Sequence, residues 1–183
     1  HLYLRQNDYK KAVAALTIRS YLTTINRKDV MLLGDLNNAI GAPAKAAQYY
    51  EQAVVLKDDT KPADYGKLAS AYLAAHRPAE ARDALERALK KTKTFKLCFM
   101  LGQALYEEEK WNDAYQAFNK AARLDRKDGK AHLMMGYCAL QMDKKDLAKT
   151  AFQKAAHFPK QRKTAREMLK QIDLLSKYSK QGG

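Results

Sequence analysis

One pattern recurs along the chain at a spacing near 34 residues, and it restricts the fold more than any other feature. Leu101-Gly102 is followed by Ala114, Phe118 and Ala121. A shift of 34 residues gives Met135-Gly136, Ala148, Phe152 and Ala155 in the same frame. Going back 33 gives Leu68-Ala69, Ala81, Leu85 and Ala88, and a further 35 gives Leu33-Gly34, Ala46, Tyr50 and Ala53. One more step of 34 leaves Ala12 and Leu16, with the earlier part missing. Self-similarity at such a period is the signature of an array of small units, none of which can bury its apolar face alone.

Each period holds two stretches of helical apolar spacing separated by a short polar break. Leu101, Gly102 and Leu105 mark a first helix, and Trp111, Ala114, Phe118 and Ala121 a second. Small residues at Gly102 and Ala114 let two backbones approach, and Phe118 fills the volume that remains. Composition agrees. Thirty alanines stand against eight valines and isoleucines together, too few β-branched residues for a buried sheet. Pro43, Pro62 and Pro78 mark helix starts, and Pro159 precedes a last segment. There residues 160–179 predict one more helix, with Ala165, Met168, Leu169, Ile172 and Leu175 on one stripe and Lys163, Arg166, Lys170 and Lys177 on the other face. A terminal helix of this kind closes the core on one side and faces water on the other.

This frame resembles the tetratricopeptide repeat family over residues 1 to about 162. The family's favoured glycine matches Gly34, Gly102 and Gly136, and its alanines match Ala46, Ala81, Ala114 and Ala148, then Ala53, Ala88, Ala121 and Ala155. The early aromatic position of each repeat holds Val30, Tyr65, Cys98 and His132, and the closing proline is mostly absent. The resemblance implies an all-α, right-handed solenoid of antiparallel helix pairs with a C-terminal capping helix. Its divisions are a partial repeat at 1–26, repeats at 27–61, 62–94, 95–128 and 129–162, and the capping helix with its tail at 163–183. His1 falls about nine positions into a repeat, which reads as the C-terminal piece of a longer array.

Catalysis finds no foothold. His1, His76, His132 and His157 form no pair at helix-face metal spacing, and there is no CxxC. Cys98 and His132 share a frame position, but two ligands make no metal site, and both read as core filling. Glu107-Glu108-Glu109 stand in a row at a helix end, so their carboxylates diverge. No glycine-rich phosphate loop exists. The sequence therefore predicts a protein that is not an enzyme and has neither cofactor nor metal. Cys98 and Cys138 lie at offset positions on equivalent helices, which disfavours a disulfide. The longest apolar runs, such as Ala12–Leu16, are too short to span a bilayer.

Charge is unevenly placed. Of a net +14, residues 1–28 contribute six cations against one acid, and residues 157–183 seven against two. Such ends read as solvated faces or as surfaces for acidic partners.

The first helix of each pair carries the candidate site. With the core stripe removed, the positions turned to the inner curve are Lys28, Met31, Leu32, Asp35 and Asn38 in the first full repeat, and Lys67 with small neighbours in the second. The third presents Lys96, Phe99, Met100, Gln103 and Tyr106, and the fourth Lys130, Leu133, Met134, Tyr137 and Leu140. These last two sets are apolar where a structural helix would be polar, so a second contact is implied, either a ligand or further internal packing. Methionines beside aromatics suit an adaptable partner surface. The expected partner is a protein or peptide segment with apolar anchors and acidic flanks, which makes the chain an interaction scaffold. The family's carboxylate clamp would need basic or amide side chains at Met31, Asp35, Lys67, Lys96 and Met100, and only Lys67 and Lys96 qualify. The alternative is a nucleic-acid or anionic-surface module using the basic ends. Nucleic acid is disfavoured because the aromatics lie with methionines while the charge lies elsewhere. Finally, residues 114–156 and the basic run at 161–166 are similar to exported tetratricopeptide proteins of bacterial TonB–ExbB–ExbD systems, which implies a periplasmic or envelope location.

Overall fold

The computed structural model describes residues 8–55 and 60–181, with side chains to residue 175. Ten helices lie among them: α1 (Tyr9–Leu22), α2 (Arg27–Ala39), α3 (Pro43–Val55), α4 (Pro62–Ala74), α5 (Pro78–Lys91), α6 (Phe95–Glu107), α7 (Trp111–Leu124), α8 (Lys130–Gln141), α9 (Lys145–Ala156) and α10 (Arg162–Gln181). No strand occurs among the described residues. The rest of the partial first repeat, residues 1–7, lies outside them.

Local chemistry accounts for the boundaries. The Asp8 carboxylate accepts from the Lys11 backbone N–H at 3.2 Å. Asn26 and Asp29 form a reciprocal capping box at the start of α2, and the Thr94 hydroxyl caps α6 through the Leu97 N–H at 3.3 Å. Proline opens α3, α4 and α5 at a position where its missing N–H costs no hydrogen bond. Each turn within a helix pair then places one residue in the left-handed region: Gly41 (φ 76°), His76 (56°), Glu109 (60°) and Asp143 (55°). The following N–H closes back on the helix it has left, as in Lys110 to the Leu105 carbonyl at 2.9 Å and Lys144 to Ala139 at 2.9 Å. These turns are isostructural although only one of them uses glycine.

The chain forms two compact units, His1–Thr92 with α1 to α5 and Lys93–Gly183 with α6 to α10. Within each unit, consecutive helices pack on one another. The pairs are antiparallel, since in α2–α3 position 34 meets 50 while Arg27 reaches Ala53. The fold is an all-α solenoid of helix pairs.

A glycine opposite a ring sets the spacing within three of the pairs. A Cβ built on Gly34 would stand 2.4 Å from the Tyr50 ring, one on Gly102 2.6 Å from Phe118, and one on Gly136 2.5 Å from Phe152. The repeat at α4–α5 has the reciprocal residues at the same frame positions, Ala69 and Leu85, both fully buried. A larger residue on the first helix is matched by a smaller one on the second, so the slot keeps its volume.

Helix α10 closes the second unit. Ala165 and Ile172 join Ala139, Ala148, Phe152 and Ala155 in one buried cluster, with Met168 and Leu169 packed against it. Leu175, expected on this stripe, is instead 62% exposed. The Asp173 carboxylate already meets Lys149 at 2.7 Å, and α9 begins at Lys145, so α10 outruns the surface beneath it within about a turn.

Candidate partner-binding surface

In the second unit, α6 and α8 carry ten of the candidate residues. Three of them, Phe99, Tyr106 and Tyr137, pack against the protein's own rings. The Phe99 ring stacks on Phe95 with centroids 5.5 Å apart and meets the edge of Phe118 at 5.2 Å. Tyr106 meets Trp111 at 4.8 Å, and Tyr137 meets Phe152 at 5.4 Å, both edge to face. Leu133 and Tyr137 also pack against the cluster that α10 closes. Met100 is buried, only 7% exposed, so it belongs to the core and is no ligand contact. The reason lies in α6 itself: from Phe95 to Leu105 it is apolar on nearly every face, and periodicity there cannot say which face is inner. Phe99, Gln103, Tyr106, Leu133, Met134 and Tyr137 remain half-buried, with Lys96 and Lys130 exposed.

In the first unit the position equivalent to Tyr137 is Asp35, and its contacts are polar. The Tyr50 hydroxyl donates to Asp35 at 2.7 Å, and the Lys67 ammonium donates to the two Asp35 oxygens at 2.7 and 2.8 Å. The same ammonium stands 5.9 Å over the Tyr50 ring. Burial, and then Asp35, push the Tyr50 hydroxyl far above the usual phenol range. Lys67 is thus already engaged by a carboxylate of its own chain. Met31 and Leu32 are half-buried and Asn38 is exposed.

The remaining reactive groups are quiet. Cys98 and Cys138 are free and buried. Burial raises both thiols, Cys138 to about 12, so neither supplies thiolate at neutral pH. His132 stacks on Phe158 at 6.0 Å, and its buried Nδ1 has no hydrogen-bond partner among the described residues. Burial first, then Lys154, lowers its pKa. Among the described residues no three His, Cys, Asp or Glu side chains group as metal ligands, and no helix is long and apolar enough to cross a membrane.

The two basic ends differ. Near the N-terminus, Lys11 pairs with Asp8 at 2.8 Å and Arg19 with Asp29 at 3.3 Å. Arg27 is largely enclosed, holding Asp64 at 2.6 Å and the Ala53 carbonyl at 2.9 Å, and so ties α2 to both α3 and α4. Near the C-terminus, Lys163, Arg166 and Lys170 are exposed along α10 and form no ion pair among the described residues. With Pro159, Arg162 and Glu167 they line a shallow depression of about 380 Å³. The sequence shows this row of cations, but gives no sign that Lys163, Arg166 and Lys170 form no ion pair among the described residues while Lys11, Arg19 and Arg27 do.

Residues 99–162 match the family model described as tetratricopeptide repeat. Among solved structures, a crystal structure of MamA superposes with a TM-score of 0.77 at 24% identity, covering 90% of this chain and 95% of that one. MamA from Desulfovibrio magneticus RS-1, residues 41 to the end, gives 0.77 at 18% identity, covering 86% and 89%. YrrB, described as a TPR protein with an unusual peptide-binding site, gives 0.80 at 17% identity, covering 92% and 87%. No curated protein sequence matches significantly. The likeness to TonB-associated proteins finds no support among these relatives. Residues 99–162 are tetratricopeptide repeats by their family match, and the helix pairs before them share the same fold.

Proposed function

We propose that the chain is a non-catalytic interaction scaffold that seats a segment of a partner protein across α6 and α8. The observation that carries this reading is a matching set of side chains on two equivalent helices. It has the half-buried Phe99, Gln103, Tyr106 and Met134, with exposed Lys96 and Lys130 at the matching end of each helix. Rings held from behind by Phe118, Trp111 and Phe152 are rigid, so contact with a partner orders few side chains. The lysines favour acidic residues beside the partner's apolar anchors. A bacterial envelope location belongs to the same proposal, supported only by the sequence likeness of residues 114–166 to exported proteins of this family.

Phe99 and Tyr137 are poor test positions, because both brace the core. Met134 is the better one, being half-buried and outside the aromatic contacts. In a displayed-peptide selection on the full chain, the enriched sequences should pair apolar anchors with nearby acids. Met134→Glu with Lys130→Glu should abolish their capture and leave the melting temperature nearly unchanged. Peptides that bind this variant as well as the parent would refute the site.

A further inference from the structure

The free row of cations on α10 stands apart from the surface on α6 and α8. Lys163, Arg166, Lys170 and Leu174 follow at steps of three, four and four residues, so they share one helix face about 16 Å long. All four are exposed, Leu174 at 53%, and the adjacent Leu175 at 62%. Asp173 is turned away to Lys149, which leaves Glu167 as the acid beside the row. Three cations followed in line by the bare Leu174 form the face of an interfacial helix: the cations meet anionic headgroups, and the leucine enters the acyl boundary.

We propose that this outer face of α10 docks the protein onto an anionic lipid bilayer. Nucleic acid fits less well, because among the described residues no aromatic side chain joins the row to stack on bases, and exposed leucines gain nothing on a phosphate backbone. A peptide fits less well too, since the row runs along one helix with Pro159, Arg162 and Glu167 beside it and lacks the second wall of a groove. The occupant is therefore planar, anionic and apolar beneath its surface.

The test is co-sedimentation of the full chain with phosphatidylcholine vesicles containing roughly 30% phosphatidylserine, beside pure phosphatidylcholine and a single-stranded oligonucleotide. The chain should bind the anionic vesicles, ignore the neutral ones, and release as salt rises from about 0.05 to 0.5 M. Each cation at an anionic leaflet strengthens binding about fivefold, so Lys163→Gln with Arg166→Gln and Lys170→Gln should weaken it on the order of 100-fold. Leu174→Gln should weaken vesicle binding severalfold without changing any oligonucleotide binding. All four side chains are exposed, so an unchanged melting curve should accompany both variants. Absence of binding to anionic vesicles, or a triple variant that binds like the parent, would overturn the proposal. Oligonucleotide binding lost in the triple variant, with vesicle binding indifferent to Leu174→Gln, would overturn it in favour of nucleic acid. Met134→Glu with Lys130→Glu should leave vesicle binding intact, so the two surfaces fail separately.

Discussion

The two units solve one packing problem with different chemistry. Asp35 and Tyr50 in the first unit occupy the same frame positions as Tyr137 and Phe152 in the second. In the first, a hydroxyl on the second helix of the pair reaches a carboxylate on the first helix, and a lysine from the next repeat joins them. In the second, the hydroxyl-bearing ring is on the first helix and touches Phe152 edge to face. The frame therefore dictates volume at these positions but not polarity. Where the contact became aromatic, the first helices present rings and methionine, and there the candidate surface lies. Where it stayed polar, the available lysine is neutralised by its neighbour.

The largest effect should come from removing a slot-filling ring in the second unit. Phe152→Ala should lower unfolding stability by about 3–5 kcal/mol in a denaturant titration, since Phe152 is fully buried and also supports α10. A loss under about 1 kcal/mol would mean the aromatic contacts are incidental.

Adding the missing methyl tests the slot from the other helix. Gly102→Ala should cost about 1–3 kcal/mol through its clash with Phe118. Combining it with Phe118→Leu imports the Ala69–Leu85 solution of the first unit, and the double variant should recover part of that loss. If the two changes simply add, the repeats are not using interchangeable volumes.

Tyr50→Phe makes the first unit resemble the second at one atom. Asp35 is exposed and keeps Lys67 and water, so the loss should be about 1 kcal/mol. The effect of Asp35→Asn on the melting temperature should shrink at high salt, because the pair it breaks is near the surface.

The smallest effect concerns acid. His132 has a lowered pKa in the folded state, so the folded protein keeps the ring neutral while the unfolded chain takes up a proton. Its contribution to stability is present above the ordinary histidine range near 6.5 and lost as pH falls below it. The first unit has Val30 and Tyr65 at this frame position, so acid sensitivity from this source belongs to the second. The melting temperature should fall between about pH 7 and pH 5 by less in His132→Phe than in the parent chain.

The sequence carried the helix pairs, the proline starts and the glycine–ring slots plainly, because each repeats in register and rests on size or on proline geometry. The left-handed turn residues were hidden: His76, Glu109 and Asp143 give no glycine signal, although Gly41 occupies the same place. Replacing Glu109 with glycine should stabilise the turn by about 1 kcal/mol. The inner surface was only half legible. Alternation marks one buried stripe well, but α6 is apolar all round, so Met100 in the core and Phe99 beside it look alike in sequence. The Asp35–Lys67 pair lies 32 residues apart and becomes visible only when successive repeats are laid side by side.

The reciprocal slots also bear on how such a chain can be recombined. A crossover placed between the two helices of a pair would set Gly102 opposite a leucine, leaving a void, or Ala69 opposite a phenylalanine, forcing a clash. A crossover between pairs keeps every slot with its own filler. The unit of inheritance, and of any chimera built from these repeats, is therefore the whole hairpin, with its safe breakpoints in the connections near residues 60, 93 and 128 rather than at the turns that hold Gly41, His76, Glu109 and Asp143.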